Sequence, residues 1–386
     1  MREIDHINLF RQWLAAENPE PVAFQGLNLL EFTQDLLNRS HSGALFLGCL
    51  VEPPAAGHIV ETGGIFLPNM DDFAFQTHRS HLYSPEELFH GFSFQDPNGY
   101  KSTFDYKVYL QYISQGGDNP VSIKTTLARR IHDHSVTDAL MEEIEGRKVV
   151  AIMGGHGMER GDPYYIRIAR ISRTLTRNGF LMVSGGGPGA MEATHLGAWF
   201  SSRSEEQLGD AVMELQVRPP GALPAKEYAD KDWLHRAMRV KEKYPFIEGK
   251  EGLSKSIGIP TWLYGHEPPA PFASHIAKYF ANSVREDGLL AIAKNGVIFA
   301  PGSAGTVQEI FQDATQNHYG SMGVISPMIL FGKKRWRDEA PVWPLLLKLS
   351  KGKRYRDLLC LTDDEQTTIN QITSFEAKYF QDSSDG

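Results

Sequence analysis

Lys148-Val149-Val150-Ala151-Ile152-Met153 is a β-branched apolar run that stops on Gly154-Gly155, and its reading decides the fold. A run this short, dense in Val and Ile and closed by glycine, predicts a strand buried on both faces. Asp162-Pro163 follows as an N-cap with a first-turn proline. Tyr164, Ile168, Ile171 and Leu175 then recur at helical spacing, and Gly179 is placed to stop the helix. Phe180-Leu181-Met182-Val183 is a second buried-type strand; Gly185-Gly186-Gly187-Pro188-Gly189 and a helical stretch over 190–200 come after it. Strand, glycine turn, helix, twice over, is the order of a parallel α/β sheet with helices on both faces. The order returns at Val297-Ile298-Phe299, then Pro301-Gly302-Ser303-Ala304-Gly305, then a helix over about 306–318. Pro327-Met328-Ile329-Leu330-Phe331 reads as a further strand.

Working outward, residues 1–145 are richer in aromatics and turn signals, such as Glu52-Pro53-Pro54 and Asp96-Pro97-Asn98-Gly99. They read as an N-terminal α+β extension, with short strands at Ala44-Leu45-Phe46-Leu47 and Gly64-Ile65-Phe66-Leu67 and a helix over 121–144. The α/β domain is expected over 146–340, with an insertion at about 201–272 in which 211–215 reads as a strand. Residues 274–295 read as one long helix. The segment 341–386 reads as a helical tail, with a capping box from Thr362 to Glu365 and a frayed end at Ser383-Ser384-Asp385-Gly386.

At 386 residues, length alone points to two domains or one with extensions. With 41% hydrophobic and 22% charged residues the composition is globular. The formal net charge of −8 argues against a broad basic face for nucleic acid, though not against a local anion site. Cys49 and Cys360, the two cysteines, build neither a disulfide framework nor a zinc cluster. No apolar run reaches the ~18 residues of a membrane span. Met1-Arg2-Glu3-Ile4-Asp5 opens no signal-type apolar core, so a cytoplasmic setting without membrane contact is expected.

The glycine turns carry the chemistry. Glycine lets backbone N–H groups approach an anion closely, and a helix N-terminus adds partial positive charge and free donors. In a parallel sheet such turns lie at the carboxyl edge, where ligands bind. Neither is a Walker loop, since no Gly-Lys-Ser/Thr follows, and Gly154-Gly155-His156-Gly157 is not the dinucleotide fingerprint. In Pro301-Gly302-Ser303-Ala304-Gly305-Thr306-Val307-Gln308-Glu309, a phosphate at the helix start would receive N–H bonds from Ser303 through Thr306 and the hydroxyls of Ser303 and Thr306. Glu309 shares a helix face with Thr306. A carboxylate beside a phosphate is unfavourable unless something separates them, and a ribose ring does so. The acid then faces the anomeric carbon, which becomes positive when a glycosidic bond breaks. Thr306-x-x-Glu309 is equally a capping box, and the segment by itself leaves that reading open.

Pro301 to Glu309 is similar to the P-G-G-x-G-T-x-x-E signature of the LOG (Lonely Guy) phosphoribohydrolases and the related bacterial nucleotide 5′-monophosphate nucleosidases, formerly mislabelled lysine decarboxylases. Ser184-Gly185-Gly186-Gly187-Pro188-Gly189-Ala190-Met191-Glu192-Ala193 resembles that family's other glycine motif, and Glu267-Pro268-Pro269 resembles a segment before its catalytic helix. The resemblance covers about 147–332. It implies a Rossmann-like sheet and hydrolysis of nucleoside 5′-monophosphates to free base and ribose 5-phosphate, without metal or redox cofactor. It also implies a homo-oligomer, dimer or higher. Its catalytic pair would be Glu309 and Arg285, the latter 16 residues before Pro301. Arg285 would hold Glu309 ionised. Substrate contacts would come from Gly154, Gly155, Ser184, Gly185, Gly186, Gly187, Gly189, Met191, Gly302, Ser303, Ala304, Gly305 and Thr306. Two departures stand out: Ser303 replaces the second motif glycine, and Glu286 follows Arg285 where the family has lysine.

Proteins of this fold also include non-catalytic binders of ADP-ribose-like ligands or molybdenum cofactor, the alternative from a different class. Amino-acid decarboxylation lacks a recognisable pyridoxal-phosphate lysine motif. His78-x-x-His81 and His132-x-His134 lack a complete ligand set, and Lys351-Gly352-Lys353-Arg354-Tyr355-Arg356 reads as a solvated face.

Overall fold

The computed structural model describes residues 2–16, 20–96, 99–120, 122–216, 227–230, 232–247, 249 and 251–376. The chain forms two compact units, Met1–Leu82 with Leu110–Glu143, and Tyr83–Tyr109 with Ile144–Gly386. Residues 83–109 thus belong with the α/β core rather than with the N-terminal unit.

In the first unit, β1 (Arg2–Ile4), α1 (Ile7–Leu14), β2 (Val22–Gln25), α2 (Thr33–Leu37), β3 (Leu45–Leu47), α3 (Pro53–Glu61) and β4 (Ile65–Leu67) alternate. The strands lie in order β1-β2-β3-β4, all parallel, so this region is α/β in its own right. Phe10 and Trp13 of α1 pack edge-on against Phe24 of β2, at ring-centroid distances of 5.2 and 4.7 Å. The intervening helices are short, five to nine residues, which leaves little helical periodicity to read in the sequence. After the crossing into the second unit, which holds α4 (Pro85–Leu88) and the start of α5 (Phe104–Ser114), the chain returns to the first unit and forms α6 (Ile123–Ile144), followed by Gly146 at positive φ.

The second unit holds a seven-stranded, all-parallel sheet: β5 (Lys148–Met153), β6 (Phe180–Ser184), β7 (Ser256–Gly258), β8 (His275–Ile276), β9 (Val297–Phe299), β10 (Met328–Phe331) and β11 (Leu359–Thr362). Their order is β11-β10-β9-β5-β6-β7-β8. The chain begins in the middle at β5, winds outward to β8, and returns at β9 to wind the other way. The switch point therefore lies between β5 and β9, where α/β sheets open a crevice at their carboxyl edge. Helices α7 (Pro163–Arg177), α8 (Ala190–Trp199), α9 (Glu205–Leu215), α10 (Asp232–Lys243), α11 (Asn282–Ile292), α12 (Ala304–Tyr319), α13 (Val342–Leu349) and α14 (Glu365–Thr373) complete the unit. The Asp162 side chain caps α7 by accepting from the Tyr164 amide at 2.8 Å. One core gathers Val150 and Ile152 of β5, Met182 of β6, Ile298 of β9, Ile329 of β10, and Ile168, Ile171 and Leu196 of the helices. Among the described residues no helix is long and apolar enough to cross a membrane.

Three local expectations are corrected. Residues 211–215 are the last turns of α9, not a strand: Ser204 and Gln207 form a capping box, and Leu208, Ala211, Val212 and Leu215 are buried at helical spacing. Residues 274–295 are not one helix, because His275 and Ile276 pair with β7 before α11 begins. The C-terminal segment is not purely helical: Leu359–Thr362 pairs with β10 as an edge strand. There α14 is capped by Asp364, which accepts from the Thr367 amide at 2.6 Å, while the Thr362 hydroxyl accepts from Asp364 N. The expected fraying at 383–386, and part of the 201–272 insertion, lie outside the described residues.

Candidate functional site

The two glycine turns at the switch point meet backbone to backbone. Gly155 N donates to the Pro301 carbonyl at 3.1 Å. A Cβ on Gly155 would sit 3.2 Å from Gly302 Cα and 3.3 Å from the Pro301 oxygen, so glycine is what permits the approach. The turn after β6 closes over the turn after β5: Ala190 N donates to the Gly155 carbonyl at 3.2 Å, and Gly186 and Gly189 hold positive φ.

Helix α12 starts at Ala304 with Ser303 as its N-cap, and the Ser303 hydroxyl makes no capping bond. The amides of Ala304, Gly305 and Thr306 fall in the first turn, where no carbonyl of the same helix can accept from them. Ser303, Ala304 and Gly305 are exposed, so the helix mouth is open to solvent. Arg335 places a cation against this turn, its Nε donating to the Gly302 carbonyl at 2.9 Å. Thr306 departs from expectation. It lies inside the helix, not at its cap, and is buried with its hydroxyl tucked beneath Gly302. That position rules out the capping-box reading of Thr306 and Glu309 and removes the Thr306 hydroxyl from the open face.

Arg285 of α11 and Glu309 of α12 converge, with Nη1 3.8 Å from Oε1 and both side chains close to nine-tenths buried. The guanidinium is fixed from behind, its Nε donating to the Ile259 carbonyl at 2.9 Å. Its other face lies against the glycine turn, where a Cβ on Gly185 would come within 2.2 Å of Nη2. Glu286, next to Arg285 on α11, accepts from Asn282 Nδ2 of its own helix at 2.8 Å and from Gln308 Nε2 of α12 at 3.2 Å, the second bond tying the two helices. Gln312 of α12 likewise donates to Asp287. Burial pushes the Glu309 carboxyl up to about 7; Arg285 pulls it down and Glu286 adds to the rise. Arg285 thus acts on Glu309 in the expected direction, favouring the ionised form, but desolvation outweighs an ion pair at this separation.

Gly185, Gly186, Gly187, Met191, Pro260, Thr261, Tyr264, Glu267, Pro268, Pro269 and Arg285 line one cleft, with about 40 Å³ of free space as it stands. Met191 lines it, close against the glycine turn. A Cβ on Gly185 would lie 2.6 Å from its Sδ, and one on Gly187 3.0 Å from its Cε. A flexible thioether is the element most readily displaced by an entering ring. The 259–267 wall rests on a buried polar cluster. Asp105 accepts from Lys278 Nζ at 2.6 Å, Trp262 Nε1 at 3.0 Å and the Tyr100 hydroxyl at 2.6 Å. The Tyr100 oxygen also lies 2.8 Å from the Gly265 carbonyl.

Ser184 belongs beneath the site rather than in it: the residue is fully buried and its hydroxyl donates to the Ile152 carbonyl at 2.6 Å. Glu192 of the same motif is structural too. It pairs with Arg160 through contacts of 2.9 and 2.5 Å and accepts from the Tyr165 hydroxyl at 2.8 Å, all buried. Arg160 in turn donates to the Trp233 carbonyl at 3.0 Å and, from its amide, to Glu227 at 2.9 Å, fastening the insertion to the loop after β5. Sequence reasoning passed over Glu267 and Arg335 as site residues. A proline neighbour marks the first, and nothing local marks the second. Of the other candidates, the His132 ring lies 3.2 Å from its neighbour Asp133, and Arg356 donates to the Leu347 carbonyl at 2.7 Å.

No protein-family model and no curated protein matches the chain. Among solved structures, the molybdenum cofactor binding protein from the phototrophic bacterium Rippkaea orientalis is similar over 60% of this chain and 98% of its own, at 14% identity and a TM-score of 0.35.

Proposed function

We propose that this chain hydrolyses the N-glycosidic bond of nucleoside 5′-monophosphates, releasing free base and ribose 5-phosphate. The observation that carries the reading is the convergence of Arg285 and Glu309, 3.8 Å apart, beside an open helix N-terminus at the switch point of the sheet. The amides at the start of α12, with Arg335 behind them, hold the 5′-phosphate. Glu309, one turn further along, then stands beside the ribose, and the base enters the cleft of Met191 and Pro268.

The reaction is dissociative. The bond between the anomeric carbon and the base nitrogen breaks, its electron pair leaving with the base, and ionised Glu309 stabilises the positive charge on the sugar. The same carboxylate orients water, whose oxygen bonds to the anomeric carbon while its proton balances the departing base. Phosphate binding, remote from the reacting carbon, supplies the positioning.

The test is incubation with a panel of nucleoside 5′-monophosphates, with free base measured chromatographically. Release by the wild-type protein and its loss in Glu309→Ala, with ribose 5-phosphate still bound, supports the proposal. Tight nucleotide binding without turnover in the wild type refutes it in favour of a ligand carrier.

A further inference from the structure

The cleft holds a second carboxylate that the hydrolytic mechanism does not use. Glu267 precedes Pro268 and Pro269, and its side chain is only 12% exposed. Oε2 faces the glycine turn, 3.5 Å from where a Cβ on Gly187 would stand. Oε1 lies 3.9 Å from His266 Nε2. The Tyr228 hydroxyl hydrogen-bonds the carboxylate, and the backbone is held by its own amide, which donates to the Tyr264 carbonyl at 2.9 Å. The acid is therefore fixed in position, with one oxygen turned towards the space between Met191 and the two prolines. Apolar walls with a fixed acceptor at the edge suit a flat heterocycle that brings an N–H donor. A partly desolvated carboxylate gains from a donor and loses from a carbonyl placed against it.

We infer that Glu267 is a specificity-determining residue that reads the base edge and selects substrates whose base carries an exocyclic amino group. The inference rests on the hydrolase reading, in that the ring in the cleft is the base of a nucleotide. It adds the class of base and names the residue responsible. Glutamine at this position can turn either its oxygen to an amine or its nitrogen to a carbonyl, so Glu267→Gln removes the preference without emptying the site.

The experiment compares kcat/KM for matched pairs differing at that group, GMP with IMP, AMP with IMP, and CMP with UMP, in wild type and Glu267→Gln. The wild type favours the amino member of at least one pair by about tenfold or more, and the variant brings that ratio within about threefold of unity while base release persists. Tyr228→Phe, which leaves the acid in place but frees its orientation, moves the ratio the same way by less. The same pairs are titrated by calorimetry in proteins carrying Glu309→Gln, with and without Glu267→Gln. If no nucleotide is cleaved, the hydrolase reading fails, and the ratio of Kd values still decides the role of Glu267. A preference absent from the wild type, a ratio unchanged by Glu267→Gln, or no binding of either member overturns the inference.

Discussion

Replacing Arg285 by glutamine removes a positive charge 3.8 Å from Glu309 while leaving a side chain long enough to reach the Ile259 carbonyl. At that separation a pair of unit charges interacts by about 1 kcal/mol in a water-like medium and by about 4 kcal/mol at the effective dielectric of a protein surface. At 1.36 kcal/mol per unit, the acid limb of the pH–rate profile moves upward by about one to three pH units. In the wild type the limb falls at about 7, because burial raises the carboxyl to that point. The mechanism needs the ionised acid, so kcat/KM rises with pH through the limb. The assay is base release at subsaturating nucleotide from pH 5 to 10, which reports the free enzyme. The substrate phosphate ionises near ~6, but it does so equally for every variant, and the displacement between variants is the diagnostic quantity. Glu286→Gln supplies the opposite sign, since Glu286 raises the Glu309 value and its removal lowers the limb. A wild-type limb in the ordinary carboxylate range, near 4.5, or a limb unmoved in Arg285→Gln, would refute the electrostatic account.

Gly185→Ala puts a methyl group 2.2 Å from Arg285 Nη2 and 2.6 Å from Met191 Sδ. The expected outcome is a loss of about 100-fold in kcat/KM with the thermal midpoint little changed, measured by kinetics and calorimetry in parallel. Glu192→Ala strands Arg160 in the interior without its carboxylate, at a cost of about 3–5 kcal/mol in urea unfolding. Asp313 is buried, with Asn317 donating to Oδ1 at 3.4 Å and Oδ2 without a partner, and burial raises its pKa to about 8. Because that lies above the unfolded value, its contribution is complete at low pH and is lost as pH rises to 8, by up to about 1.4 kcal/mol per unit. Asp313→Asn flattens this slope in urea midpoints taken at pH 6 and 9; a slope equal to the wild type's would sink the assignment.

The parts of the fold visible in the sequence are those where local signals and burial agree. β5, β6, β9 and β10 are continuous apolar runs because both their faces are covered, and the turns after β5, β6 and β9 carry the glycines that close packing demands. The two strands at the β8 end of the sheet give no such signal. β8 has two residues and β7 reads Ser256-Ile257-Gly258, so pairing, not composition, makes them strands. The same holds within the site. Glu309 is legible from its helix start, and Arg285 only from its spacing to the turn. The wall carrying Glu267 is held by Asp105, far away in sequence, through contacts that no local pattern encodes. Thr306 is the instructive case: Thr306-x-x-Glu309 carries a capping-box pattern, but the chain enters α12 one turn earlier, at Ser303, so the pattern falls inside the helix.

The geometry of Arg285 explains why an acid with a raised pKa can serve the proposed reaction. A guanidinium bound bidentate to Glu309 would neutralise it in the ground state and leave little to gain as the sugar becomes positive. Here the Nε is committed to the Ile259 carbonyl and the closest approach to the acid is 3.8 Å, longer than a hydrogen bond. The carboxylate is desolvated yet incompletely paired, so its stabilisation is deferred to the moment when positive charge develops beside it. An arginine anchored through Nε also keeps its outer nitrogens for the ligand. A tighter pair would bind its own partner better and the transition state less well, so a variant that draws the two side chains into direct contact lowers kcat even as it stabilises the fold.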